Sequence, residues 1–192
     1  MAPQDRFTRR AFVKSTLAAF APAAADPSPP SQDHGRVTPP IAVPDIGVVC
    51  NDGVSTRLPQ LVRDRATALQ VMFTSCTTTC PIQAAIFARV QKLIPDQGAR
   101  GIQLLSISVD PAHDTPAALA KWLKRFHARP GWIAAAPRPE DIERLRDFAG
   151  RGRTASDNHS TQVLIVNRDG LLVWRTSELP EAEEIAAVLR KI

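Results

Sequence analysis

The sequence predicts an α/β protein in which helices cover a largely parallel β-sheet. From Ile41 onward, segments with a strand-like apolar pattern alternate with segments of helical periodicity. Residues 102–109 are almost continuously apolar, which is typical of a strand that is buried on both faces. A strand pattern at residues 69–74 also runs directly into a helix start at Cys76-Thr-Thr-Thr-Cys80-Pro81. The 192 residues suffice for one such domain and a short extension.

The apolar periodicity assigns the elements in chain order. We expect strands at 46–50, 69–74, 102–109, 132–133, 162–166 and 171–175, and helices at 82–94, 115–126, 142–148 and 180–189. The turn Asn167-Arg168-Asp169-Gly170 joins the last two strands as a hairpin. This order predicts a thioredoxin-like fold with an N-terminal β extension. In open α/β sheets, functional sites lie at the carboxyl ends of the strands, where the two cysteines fall.

The charge distribution argues against a nucleic-acid-binding protein. The net charge is +5, but residues 1–25 hold four of the 24 basic residues and one of the 19 acidic ones, so the remainder carries only +2. No basic stripe is interleaved with aromatic residues, so we expect no nucleic-acid partner.

The N-terminal residues 1–25 are expected to direct export. Thr8-Arg9-Arg10-Ala11-Phe12-Val13-Lys14 is similar to a twin-arginine signal, and a short apolar stretch follows it. Ala23-Ala24-Ala25 places small residues before a cleavage point at Asp26. These features predict a periplasmic or other extracytoplasmic location, and an uncleaved segment would anchor the protein to the inner membrane.

The next segment, residues 26–40, is expected to be a linker. Its proline content, which continues to Pro44, leaves too little apolar surface to order the chain by burial. We therefore expect the folded domain to span residues 41–192.

Two cysteines four residues apart at a helix start indicate either a metal site or a redox-active pair. Free N–H groups and the helix dipole at that position favour a thiolate, the form that binds soft metals and attacks disulfides. A structural disulfide is the weaker interpretation, because closing so short a loop contributes only about 2 kcal/mol. Cys50, the third cysteine, is expected to be a buried apolar residue.

Four motifs together resemble the Sco/SenC family of copper proteins, which assemble the copper centre of cytochrome c oxidase. They are the cysteine motif 73–81, the Ser-Val-Asp-Pro and Asp-Thr-Pro sequences within 108–116, Asn158-His159-Ser160, and the hairpin turn. The resemblance covers residues 41–192. It implies that Cys76, Cys80 and His159 are copper ligands and that Asp110 is a nearby carboxylate or part of a partner surface.

The resemblance also implies partners and an activity. We expect the protein to deliver copper, as Cu(I) or Cu(II), to the copper-site subunit of cytochrome c oxidase or a related extracytoplasmic cuproenzyme. A copper donor would load it, and a thiol reductant would keep Cys76 and Cys80 reduced. Two enzymatic alternatives stay open: a thiol-disulfide oxidoreductase that keeps a partner's metal-binding cysteines reduced, and a peroxide-reducing thiol enzyme.

Overall fold

The computed structural model describes residues 34–95, 98, 101–150 and 161–192. Eight strands form one sheet: β1 Gly35–Ala42, β2 Gly47–Cys50, β3 Ser55–Arg57, β4 Ala66–Met72, β5 Ile102–Ser108, β6 Trp132–Pro137, β7 Leu164–Val166 and β8 Leu171–Arg175. The helices are α1 Leu58–Val62, α2 Thr79–Leu93, α3 Pro116–Arg125, α4 Ile142–Ala149 and α5 Ala182–Leu189, with a 3-10 turn, Pro139–Asp141, before α4.

The strand order in the sheet is β1-β8-β7-β4-β5-β6-β2-β3. The three central strands β4, β5 and β6 are parallel, whereas the other pairs in the sheet are antiparallel. Met72 pairs with Ser108 at the ends of β4 and β5, so both strands stop at the same edge of the sheet. We call this edge, where residues 72 and 108 lie, the carboxyl edge.

Both faces of the central strands are buried, as the apolar run at 102–109 predicts. Every residue of β4 and of β5 is buried, and neighbouring side chains alternate between two apolar clusters. Leu104 belongs to the cluster that contains Phe87 of α2, while Leu105 belongs to the cluster that contains Leu145 of α4. The sheet is therefore the middle layer between two groups of helices, and the α/β prediction is confirmed.

Local signals in the sequence correctly predict where α3 begins and where the chain turns between β7 and β8. The hydroxyl of Thr115 accepts a hydrogen bond from Ala118 N at 3.2 Å, and Pro116 occupies the first position of α3. In the β7–β8 hairpin, the side-chain oxygen of Asn167 accepts from Leu171 N at 2.9 Å, and Gly170 adopts a φ of 77°. A positive φ at that position is accessible to glycine without strain.

The prediction of a linker is wrong for residues 35–40. They belong to β1, which pairs with β8 through Arg36 and Trp174 and through Ile41 and Leu172. The register shifts between Arg36 and Ile41, a stretch that includes two prolines. An edge strand tolerates proline because one side of it has no partner to which an N–H must donate.

The folded domain therefore begins before Ile41. The expected signal segment 1–25 and the remainder of the expected linker, 26–33, lie outside the described residues. Within the described residues, no helix combines the length and the apolar character needed to cross a membrane.

Candidate metal centre

The two cysteines lie at the junction of β4 and α2, on the carboxyl edge. Cys76 lies in the loop after β4, and Cys80 is the second residue of α2. The backbone N–H of Cys80 donates to the sulfur of Cys76, with an N–Sγ distance of 3.4 Å. Pro81 follows in the first helical turn, where its missing N–H leaves no intrahelical bond unmade. The predicted strand-to-helix position of the pair is confirmed.

The two cysteines are buried, and no disulfide joins them. Cys76 is 5% exposed and Cys80 is fully buried, and both are free thiols. The hydroxyl oxygens of Thr78 and Thr79 lie 3.8 and 3.9 Å from the sulfur of Cys76. Both cysteines belong to the apolar cluster that contains Phe87 of α2, and the sulfur of Cys76 also has polar groups around it, one of them the helix N–H of Cys80.

Burial changes the expected acidity of Cys80. Burial, together with the side-chain hydrogen bond to Cys76, raises the pKa of the Cys80 thiol to about 12. The expectation that a cysteine at this helix start is stabilised as a thiolate is therefore wrong for Cys80 in the metal-free protein. The helix dipole favours the thiolate, but removing the sulfur from water costs more.

A buried carboxylate, Asp114, organises the carboxyl edge beside the cysteine loop. Asp114 is 2% exposed and accepts from Thr74 N at 3.1 Å and from the hydroxyl of Ser108 at 2.6 Å. The hydroxyl of Thr74 donates to the same carboxylate. Thr74, two residues before Cys76, is thereby linked through Asp114 to Ser108 at the end of β5.

The sequence predicts a site role for Asp110 and none for Asp114. The carboxylate of Asp110 faces His113, whose Nδ1 lies 2.9 Å from Oδ1. Asp114 is the first residue of the Asp-Thr-Pro sequence, so a signal for it lies within residues 108–116. The pattern did not distinguish the carboxylate that is buried from the one that is half-exposed. The role of Asp110 near the metal or at a partner surface stays a prediction.

Comparison with known proteins identifies the family. A family model described as SCO1/SenC matches residues 55–192. The chain belongs to the SCO1/SenC family. It is 30% identical over 127 residues to the mitochondrial SCO2 homologue of Bos taurus, covering 62% of this chain and 48% of that protein. The chain thus spans about half the length of that relative.

Solved structures of Sco proteins share the fold. ScoI of Bradyrhizobium japonicum, solved with copper bound, superposes with a TM-score of 0.64 at 22% identity, covering 79% of this chain and 98% of ScoI. BsSco, described as having a disulfide switch and as a member of the Sco family of cytochrome c oxidase assembly proteins, gives a TM-score of 0.66 at 20% identity, covering 80% of this chain and 94% of BsSco. The predicted thioredoxin-like fold is confirmed.

The third residue expected to bind copper in this SCO1/SenC protein, His159, lies outside the described residues. Within residues 34–95, 98, 101–150 and 161–192, no three His, Cys, Asp or Glu side chains come together as a metal site. Of the three residues expected to bind copper, the described part of the chain contains Cys76 and Cys80. Soft thiol donors of this kind suit Cu(I).

The described residues on either side of 151–160 are held by the end of β8 and the residues after it. The guanidinium of Arg175 donates to the carbonyl oxygens of Phe148 and Ala149, each at 3.0 Å. On the other side, Thr161 N donates to a carboxylate oxygen of Glu178 at 2.6 Å. The chain thus enters and leaves the segment that carries His159 from two anchored points.

Proposed function

We propose that this SCO1/SenC protein binds one copper ion through Cys76, Cys80 and His159. We further propose that it delivers the ion to the copper centre of cytochrome c oxidase or of a related extracytoplasmic cuproenzyme. The observation that carries the proposal is the contact between Cys80 N and the sulfur of Cys76. It brings two soft donors within one helical turn, and such donors favour Cu(I) over harder cations.

Loading releases protons, because thiols bind copper as thiolates. When Cu(I) binds to the reduced pair, Cys76 and Cys80 each lose one proton, and no electron is transferred. Because burial keeps the Cys80 thiol protonated at neutral pH in the metal-free protein, its proton must be removed when copper binds. Copper binding also requires that the pair is not oxidised to a disulfide, so an oxidising compartment calls for a thiol reductant.

A site with three ligands suits transfer, because a thiolate of the recipient can bind the ion before the first ligands leave. The structural neighbour with bound copper supports copper as the cargo. The neighbour described as a member of a family of cytochrome c oxidase assembly proteins supports an oxidase as the recipient. A copper donor and a thiol reductant complete the set of partners that we propose.

The test compares His159→Ala with the parent by chelator competition for Cu(I) and by the absorption spectrum of the Cu(II) form. We expect the variant to lose at least tenfold in copper affinity, and its dithiol to exchange with a disulfide probe at the parent rate. Equal copper affinity in the variant and the parent would exclude His159 as a ligand.

A thiol-disulfide oxidoreductase is the second candidate, and the environment of Cys76 favours it. Its sulfur accepts the helix N–H of Cys80, an interaction that stabilises an attacking thiolate. In that reaction the dithiol becomes a disulfide while a partner disulfide takes up two electrons and two protons. This function needs Cys76 and Cys80 but not His159, so rapid exchange without copper binding in the parent would favour it.

The proposed compartment follows from the sequence of residues 1–25, and we propose export through the twin-arginine route. Replacing Arg9 and Arg10 together with lysine is expected to retain the protein in the cytoplasm. Fractionation of cells that express the parent or the variant measures this directly. Undiminished export of the variant would contradict the twin-arginine assignment.

A further inference from the structure

A groove with a volume of about 720 Å³ opens beside the cysteine loop. We call it the α3 groove, and five of the six described residues that line it belong to α3. The lining residues are Thr74, Ala118, Lys121, Trp122, Lys124 and Arg125.

The charged residues that line the α3 groove in the described part of the chain are all cationic. Lys121, Lys124 and Arg125 are exposed, and among the described residues no carboxylate lines the groove. The asymmetry extends along the chain, because residues 115–139 contain five Lys or Arg residues and no Asp or Glu. The neighbouring carboxylate of Asp114 is buried and occupied by the hydrogen bonds from Thr74 and Ser108. The described lining of this groove is thus uniformly cationic, although residues 26–192 as a whole are nearly neutral.

Aromatic packing supports the groove. Trp122 is 3% exposed, and its ring centroid lies 4.7 Å from that of Phe126. The guanidinium carbon of Arg125 lies 5.4 Å from the Phe126 centroid, a cation–π distance. These contacts anchor Trp122 and Arg125, two of the residues that line the groove.

The α3 groove lies next to the candidate metal centre. Its wall includes Thr74, which precedes Cys76 by two residues and is hydrogen-bonded to Asp114. A molecule in the groove would therefore be adjacent to the loop that carries the first sulfur. The position suits a docking surface for the protein that receives the copper.

We propose that the α3 groove docks an acidic face of that recipient protein, with Lys121, Lys124 and Arg125 paired to its carboxylates. This inference rests on the proposed function. Opposite charges accelerate encounter and fix the orientation of two proteins more than they increase affinity. A protein face is favoured over a lipid headgroup layer, because a projecting side chain can fill a concave groove whereas a flat membrane surface leaves it empty.

The transfer that docking promotes conserves electrons and protons. Cu(I) leaves its three proposed ligands, Cys76, Cys80 and His159, and binds two thiolates of the recipient, while the imidazole of His159 is released neutral. The recipient's thiols release two protons, and the two cysteines of this chain take up two. The copper remains Cu(I) throughout, so no oxidant or reductant enters the step.

The experiment uses the full chain loaded with Cu(I) and two synthetic recipient peptides that contain the same pair of cysteines. One peptide carries glutamates around the cysteines, and the other carries glutamines. The test variant is Lys121→Glu/Lys124→Glu/Arg125→Glu. The control variant, Arg63→Glu/Lys92→Glu/Lys191→Glu, makes the same change in net charge at exposed positions outside the groove.

We expect the parent and the control variant to transfer copper to the glutamate peptide about tenfold faster than to the glutamine peptide at low salt. Added salt should reduce this preference, and the test variant should lack it. Equal preference in the test variant and the parent would overturn the proposal.

Two further measurements separate the explanations. If the parent binds phosphatidylglycerol vesicles and the test variant does not, the groove recognises lipid, and docking of a protein is excluded. Chelator competition on the parent measures copper binding by itself. If the parent does not bind copper, the proposed function is rejected. If it binds copper but its transfer rate does not depend on the charge of the peptide, only the docking surface is rejected.

Discussion

The buried carboxylate of Asp114 accepts hydrogen bonds from both the backbone N–H and the hydroxyl of Thr74, 40 positions earlier in the chain. The two residues follow adjacent parallel strands, β4 and β5, and Ser108 at the end of β5 donates to the same carboxylate. The loop that carries Cys76 therefore begins at a point fixed by a charged, desolvated acceptor. Hydrogen bonds to charged groups are stronger than those between neutral groups.

Asp114→Asn is expected to lower the free energy of unfolding by about 2 kcal/mol. The amide has one acceptor oxygen, and its NH₂ group would face donors from Thr74 or Ser108. Urea denaturation monitored by tryptophan fluorescence measures the change. Asp110→Asn is the matched control, because its side chain is partly exposed and bonds to His113. Equal losses in the two variants would contradict the structural role assigned to Asp114.

The pKa of His113 is expected to lie above its ordinary value, because Asp110 is hydrogen-bonded to its ring and attracts its positive charge. The pair therefore stabilises the fold below a pH of about 6.5, the ordinary histidine value, and this contribution disappears as the pH rises through the folded pKa. An NMR titration of His113 should show a lower pKa in Asp110→Asn than in the parent. Identical titration curves would show that the pair does not form in solution.

Cys80 is expected to resist alkylation in the reduced, metal-free protein. Burial raises its pKa from the ordinary value of 9.0 to about 12, so its thiolate fraction at pH 8 is roughly a thousandfold smaller than in the unfolded chain. Because the unfolded chain ionises first, this thiol also makes the fold less stable as the pH rises above 9. Iodoacetamide labelling with and without urea, followed by peptide mapping, measures the difference. Rapid native labelling of Cys80 would show that the helix start is open to solvent.

Arg175→Met is expected to lower the free energy of unfolding by about 2 kcal/mol. The change removes both donors to the carbonyl oxygens of Phe148 and Ala149, and Arg175 is 9% exposed. Burial also lowers the pKa of this guanidinium. Thermal unfolding measures the loss, with Arg89→Met as the control at an exposed ion pair with Glu183. A control as damaging as the test variant would argue against a specific role for the buried arginine.

The fold was largely predictable because its main signals are local. The apolar run at 102–109 identifies a buried parallel strand, and Thr115-Pro116 marks the start of α3 with its own capping hydroxyl. β1 was missed because proline content predicts an unpaired chain, whereas pairing with β8 depends on a partner more than 100 residues away. Short β3 and α1 carry too few residues to show a period.

The candidate site was predictable in its residue types but less so in its electrostatics. The spacing of Cys76 and Cys80 at a helix start is visible in the sequence, and the structure brings the sulfur of one to the N–H of the other. The acidity of Cys80 depends on how deeply α2 packs on the sheet, which no local pattern reports. The same long-range packing decides that Asp114 rather than Asp110 is buried.

The two outermost strands of the sheet have a consequence for how the protein behaves at high concentration. β3 has only three residues, and β1 contains Pro39 and Pro40, which offer no N–H to an incoming chain. Neither border is a good template for adding another strand. Edge-to-edge pairing of the sheets of two copies is therefore disfavoured. Concentrated solutions of the reduced protein should resist fibril formation.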